Sequence, residues 1–155
     1  MYLCDLHIQN LKLLRDFRLS FLEDDGSPRM WTVLIGENGT AKTSILQAIA
    51  MSAAGRLQVN SLAKAAVGHL RDRRQDQPEL RVDAAFGEPD CDGVIPSRFG
   101  TRVSLKRHES TIRAEDREIE GGGGRMNMND LDSLRASNEA GMFVAAYGVS
   151  DRKST

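Results

Sequence analysis

The stretch that decides the fold is "WTVLIGENGTAKTSILQAIA", residues 31–50. An apolar, β-branched run, "MWTVLIG" at 30–36, comes first and predicts a strand that is buried on both faces in a parallel sheet. A small polar loop follows. Beyond the loop, apolar residues recur at helical spacing and predict a helix packed on that sheet, with Gly55 placed to cap its C-terminus: Ile45, Leu46, Ile49 and Ala53.

The loop "GENGTAKT", residues 36–43, is a variant of the phosphate-binding pattern G-x-x-x-x-G-K-[ST]. It matches at Gly36, Lys42 and Thr43, and it has Ala41 where the pattern has its second glycine. A strand before the loop and a helix after it are the context that this pattern requires. We therefore predict a phosphate-binding loop; a plain strand-turn-helix is the alternative.

Each residue type in the loop has its own chemical use. Gly36 and Gly39 allow a sharp turn whose N–H groups converge on phosphate oxygens at a helix N-terminus. Lys42 is the predicted catalytic residue, because its ammonium can reach the β and γ phosphates of a nucleotide. The Thr43 hydroxyl is the predicted Mg²⁺ ligand, with waters and phosphate oxygens completing the coordination shell.

Ala41 is the departure from the pattern, and its effect depends on the backbone conformation. In helical dihedrals alanine is preferred to glycine by about 1 kcal/mol. In a left-handed conformation its methyl group costs about 1–2 kcal/mol. Because Ala41 directly precedes Lys42 at the helix start, we expect helical dihedrals there and we expect nucleotide binding to be retained.

The rest of the chain alternates between apolar and polar residues, which is typical of half-buried strands. Tyr2–Ile8 and the stretch "FRLSFL" at 17–22 predict two antiparallel strands joined through a turn, "EDDGSP", to the loop strand. Residues 79–87 and 101–120 predict further antiparallel strands, and residues 61–70 a second helix. The predicted fold class is α/β: a P-loop NTPase lobe with a parallel core strand-loop-helix and an antiparallel β subdomain.

The composition excludes several classes of protein. The chain has 155 residues, 40% of them hydrophobic and 28% charged, with a net charge of -1, which suits one cytoplasmic domain with no membrane segment. DNA stays open as a partner, although this net charge does not indicate it. Cys4 and Cys91 have no metal-binding spacing, and we expect reduced thiols. Residues 121–130, which begin with four glycines, predict a flexible loop, and "GMFVAAYG" at 141–148 a buried strand.

The N-terminal sequence, "LHIQNLKLLRDFRLSF" followed by "WTVLIGENGTAKTSILQAIA", resembles the ABC-type AAA family ATPases of the RecF, SMC and OLD kind. The family has an I-x-N-F-R signature before a G-[EP]-N-G-[ST]-G-K-[ST] loop. In this chain Leu11 and Lys12 stand where the signature has Phe and Arg. The resemblance implies that the loop and the first helical turn wrap the phosphates of ATP, with Thr43 on Mg²⁺: Asn38, Gly39, Thr40, Ala41, Lys42, Thr43 and Ser44.

What the resemblance implies extends beyond the loop. The family's ATPases work as dimers or larger assemblies, in DNA repair, DNA maintenance or antiphage defence, in some cases with a nuclease or another effector. Their complete site also needs a signature motif and an apolar strand that ends in Asp-Glu, neither of which follows the loop here. We therefore expect residues 1–155 to be the N-terminal lobe of a longer ATPase domain.

Two other functions remain open at this point. One is a nucleotide-binding sensor or interaction module that does not turn the nucleotide over. The other is a different P-loop enzyme, a kinase or a GTPase, although no Asn-Lys-x-Asp guanine-recognition motif is found.

Overall fold

The computed structural model describes residues 1–63, 67–70, 79–96 and 98–118. Within these ranges the chain forms five strands and two helices. In chain order they are β1 (Tyr2–Leu11), β2 (Leu14–Ser20), α1 (Lys42–Ala63), α2 (Val67–Leu70), β3 (Leu80–Gly87), β4 (Arg98–Leu105) and β5 (Arg113–Glu118).

All five strands belong to one sheet in the order β2-β1-β3-β4-β5, and every neighbouring pair is antiparallel. The two N-terminal strands and the antiparallel sheet in the middle of the chain are therefore as predicted. The turn predicted at residues 23–28 is also present. Its backbone closes with Gly26 N–H donating to Glu23 O at 3.0 Å, and Leu22 pairs with Pro28 beyond it.

One face of this sheet carries the main core. Strand side chains alternate between the faces, so that Leu6 and Ile8 of β1 lie beside Val82 of β3 under helix α1. The helix contributes residues at helical spacing, Ile45, Ala48, Met51, Val59 and Ala63. Each large aliphatic side chain that is fully buried contributes about 1.5–3 kcal/mol. The packing of α1 on this face fixes the position of its N-terminus.

Helix α1 is interrupted at the glycine that was predicted to cap it. Gly55 has φ 63° and ψ -171°, a conformation outside the helical region that glycine adopts at little cost. The helix nevertheless resumes and continues to Ala63. Gly55 therefore makes a kink rather than an end. The helix predicted for residues 61–70 corresponds to the last turn of α1 and to α2.

The parallel core strand predicted at residues 30–36 is wrong for the described part of the chain. The segment is not in the sheet, and Trp31, Val33 and Ile35 are 89%, 75% and 92% exposed. Leu34, on the opposite side of the segment, packs against the main core. A strand buried on both faces needs a paired strand beside it and a layer on each side, and the five described strands pair with one another instead.

Two sequence predictions lie outside the described residues. These are the flexible loop at 121–130 and the buried strand at 141–148.

The side chain of Asn60 ties the second half of α1 to the segment that leads into β5. Its Nδ2 donates to the carbonyl of Ile112 at 2.9 Å, and its Oδ1 accepts from the Ile112 N–H at 2.9 Å. Ile112 itself is buried in the main core. The two bonds therefore satisfy both backbone polar groups of a residue whose surroundings exclude water.

We expect Asn60→Ala to lower the free energy of unfolding by about 1–3 kcal/mol, because it leaves both Ile112 backbone groups without this partner. Chemical denaturation monitored by circular dichroism measures the change. Gln58→Ala, at an exposed position of the same helix, is the control and should change stability by less than about 0.5 kcal/mol. Equal midpoints for the two variants would contradict the role of Asn60.

The two cysteines differ in accessibility. Cys4 is fully buried and Cys91 is exposed, and neither forms a disulfide. Burial raises the pKa of the Cys4 thiol to about 11, with the Arg98 charge opposing part of the rise. At pH 8 only about one Cys4 thiol in a thousand is therefore ionised.

We expect a thiol-specific reagent at pH 8 to modify one cysteine of the folded protein quickly and the second only after unfolding. Absorbance of the released chromophore counts the thiols. Cys91→Ser should abolish the fast phase, whereas Cys4→Ser should leave it intact. A fast phase that survives in Cys91→Ser would show that Cys4 is accessible.

Candidate functional site

The site is built on the loop between the exposed segment at 30–36 and helix α1. The loop turns at Asn38 and Gly39, where Gly39 has a φ of 88° that favours glycine. The turn is closed by Thr40, whose N–H and hydroxyl donate to the Glu37 carbonyl at 3.3 and 2.7 Å. Ile45 N–H then donates to the Ala41 carbonyl at 3.0 Å as the helix begins. The backbone thus wraps tightly just before the helix N-terminus.

Gly36 is required by close approach. A Cβ atom on this residue would lie 2.6 Å from Thr40 Oγ1, so that either the Thr40 side chain would have to rotate away from the Glu37 carbonyl or the loop would have to shift. The predicted need for glycine at this position therefore has a direct steric cause.

Lys42 folds back over the loop instead of extending into solvent. Its Nζ donates to the carbonyls of Gly36 and Glu37, both at 2.6 Å, and to Thr40 Oγ1 at 3.3 Å. The positive charge is thus held inside the turn, where an anion bound by the loop would meet it. This is the arrangement expected for the lysine of a phosphate-binding loop.

The helical dihedrals expected at Ala41 are wrong. Ala41 has φ 65°, in the left-handed region that L-residues other than glycine rarely adopt. The reason is local: the chain must turn from the loop into α1, and the usual pattern places a glycine at the residue that makes this turn. Ala41 makes the same turn with a methyl group present, and the loop carries the resulting strain.

A cavity of about 290 Å³ opens beside the loop, and it gathers most of the predicted site residues. Thr43 is exposed at the second position of α1, and Ser44 is buried behind it. Gly36 does not line the cavity, but it contacts Thr40 and Lys42, which do. The lining members of the predicted set are Asn38, Gly39, Thr40, Ala41, Lys42, Thr43 and Ser44.

Lys12 and Leu13, at the turn between β1 and β2, form the remaining wall of this cavity. Leu13 is 63% exposed, and Lys12 Nζ donates to Gln47 Oε1 on α1 at 3.3 Å. Sequence reasoning assigned no role to Leu13 or Gln47. The available signal was the position of Lys12 and Leu13 at the tip of a predicted strand pair.

The donor set fits a nucleotide better than a bare metal ion. Among the described residues, no three His, Cys, Asp or Glu side chains cluster as they would to hold a metal. Thr43 offers one hydroxyl oxygen beside the loop. A magnesium ion at this place would take its other ligands from phosphate oxygens and water, which is how Mg²⁺ usually binds in nucleotide sites.

A larger groove, of about 600 Å³, lies over strands β1–β4. Charged side chains line it and form ion pairs: Arg98 Nη1 donates to Asp5 Oδ2 at 2.9 Å, and Asp83 Oδ2 accepts from Arg81 Nε, outside the groove on the same strand, at 2.7 Å. Arg102 also pairs with Asp83. The pairs Arg98–Asp5 and Arg102–Asp83 are therefore contacts between strands on a solvent-facing side of the sheet. The groove has none of the loop residues.

We expect Ala41→Gly to raise the free energy of unfolding by about 0.5–1 kcal/mol. It relieves about 1–2 kcal/mol of left-handed strain, and the extra freedom of glycine in the unfolded chain offsets part of this gain. Denaturation curves measure the change. Ala50→Gly, inside α1, is the matched control and should lower stability by about 1 kcal/mol. A loss of stability in both variants would mean that Ala41 is not strained.

No described helix combines the length and apolar character of a membrane span.

Two comparisons with known proteins concern the family to which this chain belongs. The chain is 39% identical over 59 residues to the Septu protein PtuA of Bacillus mycoides (strain KBAB4), a match that covers 38% of this chain and 8% of that relative. The family model described as the AAA ATPase domain matches residues 1–121, which include the loop and all five strands. The chain therefore belongs to the AAA ATPase domain family.

Proposed function

We propose that this chain binds ATP with Mg²⁺ at the loop of residues 36–44, and that it is the nucleotide-binding lobe of an ATPase of the RecF, SMC and OLD-like ABC type. The observation that carries the proposal is Lys42. Its ammonium is held by two carbonyls and a hydroxyl of the turn that also lines the cavity. Membership of the AAA ATPase domain family favours ATP over GTP.

The loop geometry supports phosphate binding. The first N–H groups of α1 have no partner within the helix, and they combine with the helix dipole to attract an anion. Lys42 can exchange its contacts to Gly36 and Glu37 for contacts to phosphate oxygens, because its three N–H donors sit on a flexible stem. Lys12, on the facing wall, adds a second positive charge to the same cavity.

Hydrolysis needs charge stabilisation on the transferred phosphoryl group. Lys42 is the residue of this chain that would supply it, and the Thr43 hydroxyl is the group that would orient the metal. Magnesium, when bound, neutralises charge that develops on the phosphate oxygens. Gly36 and Gly39 keep the loop backbone close enough to hold the phosphates still.

We also propose that residues 1–155 act as the N-terminal lobe of a longer ATPase domain, within a homodimer or larger assembly. The exposed apolar side chains of Trp31, Val33 and Ile35 support this, because a surface of this kind is normally covered by other protein. An effector such as a nuclease is a further candidate partner. Among the cellular roles considered, similarity to the Septu protein PtuA favours antiphage defence over DNA repair or maintenance.

Calorimetry with ATP and Mg²⁺ tests the site. We expect Lys42→Ala to weaken ATP binding by about 10- to 100-fold, since hydrogen bonds to charged groups contribute about 1.5–3 kcal/mol. Lys106→Ala, a lysine outside the cavity, is the control and should bind like the wild type. A folded wild type that binds no ATP would overturn the proposal.

Two further measurements separate the alternatives. Competition with GTP distinguishes an ATPase from a GTPase, because an adenine-specific site is not displaced by equimolar GTP. Phosphate release under saturating ATP distinguishes an ATPase from a module that binds without turnover. Binding with no release would favour the sensor function.

A further inference from the structure

The turn between β1 and β2 reaches the phosphate loop by an irregular path. Asn10 and Lys12 have φ of 58° and 51°, and between them Leu11 is fully buried in the core. Two left-handed residues break the alternation of β1, so that Leu11 points into the core and the next two residues project beside the loop. The Lys12 N–H donates to the Leu70 carbonyl at 3.0 Å and fixes the turn in place. Lys12 and Leu13 form the two-residue loop of a hairpin that pairs Leu11 with Leu14, and a positive φ is usual in such a loop.

The bond to Leu70 holds the backbone of Lys12, and a separate contact is needed to hold its side chain. A lysine stem has four rotatable bonds, and an ammonium at its end samples many positions unless another group holds it. Gln47 Oε1 accepts a hydrogen bond from Lys12 Nζ at 3.3 Å. Gln47 lies in the second turn of α1, on the same rigid helix that begins at Lys42. The contact therefore fixes the Lys12 ammonium relative to the helix that carries Lys42.

We propose that Gln47 is a positioning residue of the nucleotide site, one that holds the Lys12 ammonium against the cavity for the phosphates of ATP. The inference rests on the function proposed above. An amide oxygen suits the task because it fixes the ammonium without neutralising its charge, as a carboxylate would. An ammonium has three donors, so that one bond to Gln47 leaves two for phosphate oxygens.

A double-mutant cycle tests this role, with calorimetric binding of Mg²⁺·ATP and of adenosine as readouts. We expect Gln47→Ala to weaken ATP binding about 3- to 10-fold and to leave adenosine binding unchanged, because only the phosphates meet Lys12. In a Lys12→Ala background, Gln47→Ala should have no further effect on ATP binding. Gln47→Glu should also weaken ATP binding, since its carboxylate keeps the contact but neutralises the charge.

The control is Gln58→Ala, which changes the same residue type on the same helix far from the loop, and circular dichroism verifies that each variant is folded. Two results would overturn the role of Gln47 but leave the proposed function intact. One is ATP binding by Gln47→Ala equal to that of the wild type. The other is a loss of ATP affinity on Gln47→Ala that is equally large in the wild-type and Lys12→Ala backgrounds. A parallel loss of adenosine binding would indicate a general structural role and would also overturn it. A folded wild type that binds no ATP would overturn the proposed function, and this inference with it.

Discussion

Helix α1 has two structural roles that it must fulfil from a single position. Its buried face, with Ile45, Ala48 and Met51, must pack on the antiparallel sheet. Its N-terminus must also place Lys42, the first residue of the helix, over the loop. The helix is too rigid for these demands to be met separately, so the core that forms on the sheet also decides where the loop stands. A core substitution under the first turns of α1 would therefore move the site as well as weaken the fold.

The loop contains one position with little space for a side chain, Gly36, and one strained position that carries a side chain nonetheless, Ala41. Gly36 has no room for a methyl group beside Thr40, whereas Ala41 carries its methyl group in a left-handed conformation. The difference is one of mechanism. At Gly36 the obstacle is the Thr40 hydroxyl, which a Cβ atom would meet at 2.6 Å, and at Ala41 it is a backbone conformation of moderate energy that the surrounding contacts can maintain. A protein can retain the second kind of strain without losing the shape of the loop.

Sequence patterns predicted the elements whose own residues carry the signal. Alternation located β1, β2 and the middle strands, because each has one buried face, and the loop motif located the cavity residues from Asn38 to Ser44. The strand at 30–36 was predicted wrongly because an apolar run reports a tendency to be buried and does not show which neighbours are available. The conformation of Ala41 and the contact between Lys12 and Gln47 depend on how distant segments meet, which spacing along the chain does not encode.

The exposed segment before the loop also gives this protein an optical property. The chain has a single tryptophan, Trp31, and its side chain is 89% exposed five residues before Gly36. All tryptophan fluorescence therefore originates from one water-facing indole on the segment that precedes the loop of residues 36–43. Whatever covers this segment, whether another part of the polypeptide or another molecule, must change the polarity around that indole. Emission from the unlabelled protein thus reports directly on the coverage of this apolar surface.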